Sequence, residues 1–201
     1  MNEHPILFSG PMVRAILKGR KTQTRRVIQP KPDHFHTFQP GIWLPQIGDK
    51  EIKCSYGEPG DRLWVREAWL QDGGIYLYRA DFGLGVLADS WNGYWKPSIH
   101  MPKEAARIWL KAMNVRVERL QDITPKDAEN EGVGNLFYED IGYSEKNYGT
   151  EVDKEYGIAR EQFVWLWEST IKKSELDRYG WKANPWVWVI EFERCDKPEG
   201  R

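Results

Sequence analysis

The sequence predicts an α+β chain arranged around a small β-barrel, with short helices at its flanks and loops inserted between its strands. Three observations point there. Trp186-Val187-Trp188-Val189-Ile190-Glu191-Phe192 is an apolar run that reads as a strand in a sheet interior. Phe163, Leu166, Trp167, Thr170 and Ile171 recur at helical spacing and predict an amphipathic helix over Ala159 to Lys173. The other strand candidates are short, scattered along the chain and separated by turn chemistry, with only a few short helices between them.

From the amino terminus, Ile6-Leu7-Phe8 reads as a short strand and Ser9-Gly10-Pro11 as a helix start, with a small cap residue and proline at the first helical position. Met12, Ala15 and Ile16 share one face of that helix, and Gly19 supplies the left-handed stop. Lys21 and Thr24 are therefore expected just past the helix end, on a strand or loop. Gln29 to Gly48 is rich in proline and aromatics and predicts an irregular excursion. His34 and His36 within it invite a metal, but no Cys or further His lies nearby to complete a ligand set.

Tyr56 to Asp61 is dense in turn residues, and Leu63 to Trp69 has the composition of a buried strand with two charges inside it, Arg66 and Glu67. Unpaired, those charges would cost several kcal/mol, so at least one should reach a partner or a cleft mouth. Ile75 to Ala80 is a further strand, and prolines brace Trp95 to Pro102 on a fixed backbone. Val115 to Leu120 alternates as a half-exposed strand. Thr124-Pro125-Lys126-Asp127 starts a helix with a Thr cap, proline at the first position and an acid at the third, and Gly132 ends it. The expected organisation is one domain over 1–201, with insertions around 29–48, 71–99 and 134–158.

Composition narrows the class of function. At 201 residues the chain can bury a core without metal or disulfide support. Two thiols, Cys54 and Cys195, are too few for a four-ligand zinc site, and neither a metal nor a cofactor is implied. Met1 to Gly10 lacks the pattern of a secretory signal, and no stretch approaches the roughly 18 apolar residues of a membrane span, so the expectation is a reduced cytoplasmic protein without membrane partners. Eleven Trp and nine Tyr suit cores, interfaces and base-stacking surfaces alike.

The charge is local rather than global. The formal net charge is -1, yet the six charged residues from Arg14 to Arg26 are all basic. Gly19-Arg20-Lys21-Thr22-Gln23-Thr24-Arg25-Arg26 sets an amine and a hydroxyl three residues apart among these cations, which suits capture of something anionic or chemistry on it. The bland alternative is a solvated basic edge.

That octet, followed by Gly60-Asp61-Arg62-Leu63-Trp64-Val65-Arg66-Glu67, resembles the two signature stretches of the ASCH domain, a relative of the PUA RNA-binding fold. The helix Ile123 to Val133 and the strand Trp186 to Phe192 extend the resemblance. The passage Ser98 to Pro102 is similar to one in a larger ASCH subgroup common in phages and prophages. The resemblance implies a PUA-like barrel whose cleft accepts nucleosides or single-stranded RNA. It also implies a possible activity, because a small bacterial member removes the acetyl group of N4-acetylcytidine with a Lys, a Thr and a Glu. These fall on Lys21, Thr24 and Glu131.

The three residue types suit an amide hydrolase. Thr24 would attack the carbonyl, Lys21 as a free amine would take and return the proton, and Glu131 would orient Lys21 or activate water. Burial and the surrounding arginines favour a neutral Lys21, while Glu131 opposes it. Substrate contacts are expected from Arg20, Arg26, Arg66, Glu67, Ser98 and His100, with Trp69 as a stacking surface. A binding module without catalysis and a metal-independent ribonuclease are the alternatives that the same cations allow.

Overall fold

The computed structural model describes residues 1–39, 42–82, 95–133 and 157–198. Its strands are β1 (Glu3–Leu7), β2 (Gln23–Val27), β3 (His34–Gln39), β4 (Ile42–Ile47), β5 (Lys50–Glu51), β6 (Arg62–Arg66), β7 (Trp69–Asp72), β8 (Ile75–Tyr78), β9 (Trp109–Arg119) and β10 (Trp186–Cys195). Its α-helices are α1 (Gly10–Leu17), α2 (Pro125–Asn130), α3 (Gly157–Thr170) and α4 (Leu176–Tyr179). The fold is mixed α+β, and no helix among the described residues is long and apolar enough to cross a membrane.

The main sheet runs β1-β6-β9-β10-β2. β1 lies parallel to β6, and every other pairing is antiparallel. β10 sits between β9 and β2, which is why its residues Val187 to Ile190 are apolar without alternation: both of its faces are covered. The core gathers around it from β1, β6, β9 and the inner faces of α1 and α3, with Phe163 and Trp167 as the helix's main anchors.

The sheet is open, which corrects the expectation of a barrel: β1 and β2 are its two edges and share no ladder. Laid flat, five strands would separate those edges by about 19 Å. Arg26 on β2 nevertheless donates from Nη2 to Leu7 O on β1 at 2.7 Å, so the sheet curls until one side chain spans the seam. The Phe8 ring packs within that seam, 5.1 Å from the Arg26 guanidinium.

The excursion expected over 29–48 is ordered instead. It forms the antiparallel pair β3–β4 continued by β5, and Phe35 packs against Trp186 at 4.1 Å between ring centroids. The strand expected over Leu63 to Trp69 divides at Glu67-Ala68 into β6 and β7, and β7 pairs with β8 in a separate two-stranded sheet. Residues 83–94 and 134–156, within the other two expected insertions, lie outside the described residues.

Candidate functional site

Lys21 is placed by the way α1 ends. Gly19 takes φ +72°, and the amides of Arg20 and Lys21 both donate to Ala15 O, at 2.9 and 3.2 Å, folding the chain back across the helix terminus. Lys21 then pairs with Glu131 as an isolated antiparallel bridge, and the Thr22 amide donates to Asn130 O at 2.9 Å. The basic bend and the downstream acid are thus tied through the backbone before any side chain is considered.

Glu131 is placed by α2. Thr124 and Asp127 form a capping box: Thr124 Oγ1 accepts from the Asp127 amide at 3.1 Å, and Asp127 Oδ2 accepts from the Thr124 amide at 3.2 Å. The helix ends at Asn130, Glu131 caps it, and Gly132 at φ +90° turns the chain away. A Cβ on Gly132 would stand 3.0 Å from both the Ala15 and Lys21 Cβ atoms, in a backbone region that side chains disfavour. Gly132→Ala is therefore expected to destabilise the protein by about 1–3 kcal/mol and to displace Lys21. Thermal unfolding measures the first effect, and the methylene shifts of Lys21 in NMR measure the second.

At the centre of the site the Lys21 ammonium donates to Gln23 O (2.8 Å), Glu131 O (2.8 Å) and Glu131 Oε2 (2.7 Å). Those are all three of its protons. Burial holds the Lys21 amine below its ordinary value. Glu131 pulls the other way, and Arg26 and Arg25 add to the lowering.

The second oxygen of Glu131 belongs to Arg25, whose Nη1 donates to Oε1 at 3.3 Å. Arg25 Nη2 donates to Glu118 Oε2 at 3.0 Å and lies 3.6 Å from Asp127 Oδ2. Arg116 closes the network with contacts to Glu118, Asp127 and Glu191. Burial pushes the Asp127 carboxyl up, but hydrogen bonds from Thr124 and the charge of Arg25 outweigh it, leaving Asp127 below its ordinary value. Two cations thus hold the Glu131 carboxylate at the unfavourable, negative end of α2.

Thr24 lines the same cavity as Lys21, Arg25, Arg26 and Glu131. The volume is about 230 Å³, and Phe8, Met12, Phe163 and Trp167 supply apolar lining. It lies at the seam between β1 and β2, so the open sheet is what leaves room for it. Lys21, Thr24, Arg25 and Glu131 are each 3% exposed or less, so they meet solvent only through this cavity. A hydroxyl, a desolvated amine and a fixed carboxylate lining one cavity are the components of nucleophilic acyl transfer.

Of the substrate contacts expected from sequence, Arg26 lines the cavity and the others do not. Arg20 is half-buried at the turn behind α1. Glu67 is buried in a bidentate pair with Arg107, at 2.9 and 3.0 Å, and Arg107 in turn pairs with Asp81. Trp69 is buried in a second apolar cluster with Met101, Ala105, Ala106 and Trp109, so its ring is core and offers no stacking face. Arg66 lies over Trp64 and donates to Ile99 O in the tight turn Ser98–His100. In that turn Ser98 is half-buried and His100 exposed.

Sequence reasoning missed Arg25 as a partner of Glu131, treating it only as a charge that repels Lys21. Strand alternation was the available signal: Lys21 and Arg25 lie an even number of residues apart, and both side chains reach Glu131. Among the described residues no group of His, Cys, Asp and Glu is placed to hold a metal ion.

No family model matches the chain, and no curated protein matches it. Among solved structures, that of hypothetical protein PH0355 aligns over 96% of this chain and 99% of its own, at 13% identity and a TM-score of 0.34. A likeness at that level supports no inference about fold or function.

Proposed function

We propose that the chain is an ASCH-type amidohydrolase acting on an acylated nucleobase of the N4-acetylcytidine kind. The observation that carries this reading is the convergence of Lys21, Thr24 and Glu131 on one buried, cation-lined cavity. Pockets that enclose whole small molecules run from about 300 to 1,000 Å³. A chamber of about 230 Å³ suits a base with its acyl group, leaving the sugar outside.

The chemistry has two balanced stages. Thr24 Oγ bonds to the acetyl carbon as its proton passes to the Lys21 amine. The carbon–nitrogen bond then breaks, and Lys21 returns that proton to the departing exocyclic nitrogen, leaving acetyl-Thr24 and cytidine. Water attacks the ester, Lys21 accepts one of its protons and delivers it to Thr24 Oγ, and acetic acid leaves and ionises in solvent. Glu131 orients Lys21, and Arg25 with Arg26 favours the oxyanion formed on the way.

The resting geometry satisfies an ammonium, so the working amine must give up one of its three acceptors to turn a lone pair toward Thr24. Activity is therefore expected to rise with pH and level off below 10.5, because burial lowers the Lys21 value. Release of cytidine from N4-acetylcytidine, followed across pH, tests this. No release, or a rate that falls as pH rises, contradicts it.

A second reading is favoured by the same three bonds. If they fix Lys21 permanently as a structural ammonium, the chain is an RNA-binding module, with Arg26 at the cavity as a phosphate contact. Salt separates the two, since phosphate binding weakens steeply with ionic strength and turnover of a neutral nucleoside does not.

A further inference from the structure

A second cavity, of about 350 Å³, continues the walls of the first. On one wall, β2 gives Thr24 to Arg26 to the first cavity, and the chain from Val27 through Lys31 to Pro32 lines the second. On the other, α3 gives Phe163 to Thr170 to the first, and Ser174 to Tyr179 follow along the second. Trp167 joins the two, since it lines the first cavity and its indole N–H donates at 2.8 Å to Tyr179 O beside the second. The two cavities thus follow one another along β2 and the α3–α4 arm, and Thr24 to Ile28 spans about 13 Å of extended chain.

The second cavity has a specific chemistry. The Arg119 guanidinium lies 4.3 Å over the Trp186 ring, and its Nη1 donates to Asn184 O at 3.0 Å. The other rings near Trp186 are Phe35 at 4.1 Å and Trp43 at 6.4 Å, so this indole is packed and Arg119, which is exposed, is the flat surface on offer. Lys31 and Arg178 are exposed on the same lining, and among the described residues neither they nor Arg119 forms an ion pair. Asp177 is the one acid there. A fixed guanidinium plane with unpaired cations around it matches a stacked base with its phosphates. An acidic peptide matches the charge but not the plane.

We infer that this second cavity is a subsite for single-stranded nucleic acid, in which a nucleotide neighbouring the target rests on Arg119 while Lys31 and Arg178 meet its phosphates. The inference rests on reading the first cavity as a base pocket, and it extends the substrate from a free nucleoside to a modified base within an oligonucleotide.

The test uses the full chain with a short, unmodified, fluorescein-labelled single-stranded oligoribonucleotide, and in parallel with free N4-acetylcytidine. Lys31→Ala combined with Arg119→Ala is expected to weaken oligonucleotide binding at least tenfold and to flatten its salt dependence. The same variant should leave turnover of the free nucleoside unchanged. Equal oligonucleotide affinity in the variant and the wild type, or competition by a poly-glutamate peptide as effective as that by unlabelled RNA, overturns the subsite. Loss of nucleoside turnover in the wild type while variant-sensitive RNA binding persists removes the hydrolase reading and leaves the subsite standing.

Discussion

Arg25→Met is expected to lower the stability of the protein by about 3–5 kcal/mol, the cost of breaking a buried ion pair and leaving its partner behind. The Arg25 side chain is fully buried, and it faces Glu118, Asp127 and Glu131. Methionine fills much of the space but takes one cation away from three carboxylates; Glu118 and Asp127 keep Arg116, while Glu131 keeps only Lys21 among the described residues and is buried too deeply for water to compensate. Chemical denaturation at neutral pH measures the loss. The sign of its pH dependence follows from Asp127, whose value lies below the ordinary one in the folded protein. That carboxylate contributes stability above about pH 3.9 and loses it as pH falls through its folded value. Without Arg25 the contribution shrinks, so the wild type and the variant should converge on acidification. Arg25→Lys, which keeps the charge but not the fork, should fall between them.

Thr24→Ala is expected to reduce turnover of N4-acetylcytidine by about ten-thousandfold or more while leaving the fold intact. Removing the nucleophile of a catalytic group that acts as a unit costs at least that much. Thr24 is 1% exposed on β2, where its neighbour across the ladder is Ile190, and alanine fits the strand without a clash. The unfolding midpoint should therefore move little compared with that of Arg25→Met, and this separates loss of chemistry from loss of structure. Thr24→Ser retains an attacking hydroxyl and should recover a substantial part of the rate.

Much of this arrangement is legible in the sequence because it is built from local rules. The Thr124 capping box, the left-handed turns at Gly19 and Gly132, and the continuous apolar run of β10 each depend on residues within a few positions of one another. The approach of Lys21 to Glu131 follows from two such helix ends meeting, although only the family resemblance pointed to the pair. What stays hidden is set by distant partners. The pair β3–β4 carries Pro45, which argues against a strand, and it is ordered by Phe35 packing on Trp186, far along the chain. Glu67 follows Leu63 and Val65 on the buried face of its segment, and its partner Arg107 is 40 residues away. Closure of the sheet depends on how far its edges curl, which strand composition does not encode.

The most direct measurement is to quench the protein in acid during turnover of N4-acetylcytidine and locate the acetyl group by peptide mass spectrometry. The account predicts one acetyl group on Thr24 in the wild type and none anywhere in Thr24→Ala. Cytidine formed at the wild-type rate by Thr24→Ala, an acetyl group on Lys21 in place of Thr24, or no cytidine at all would contradict it.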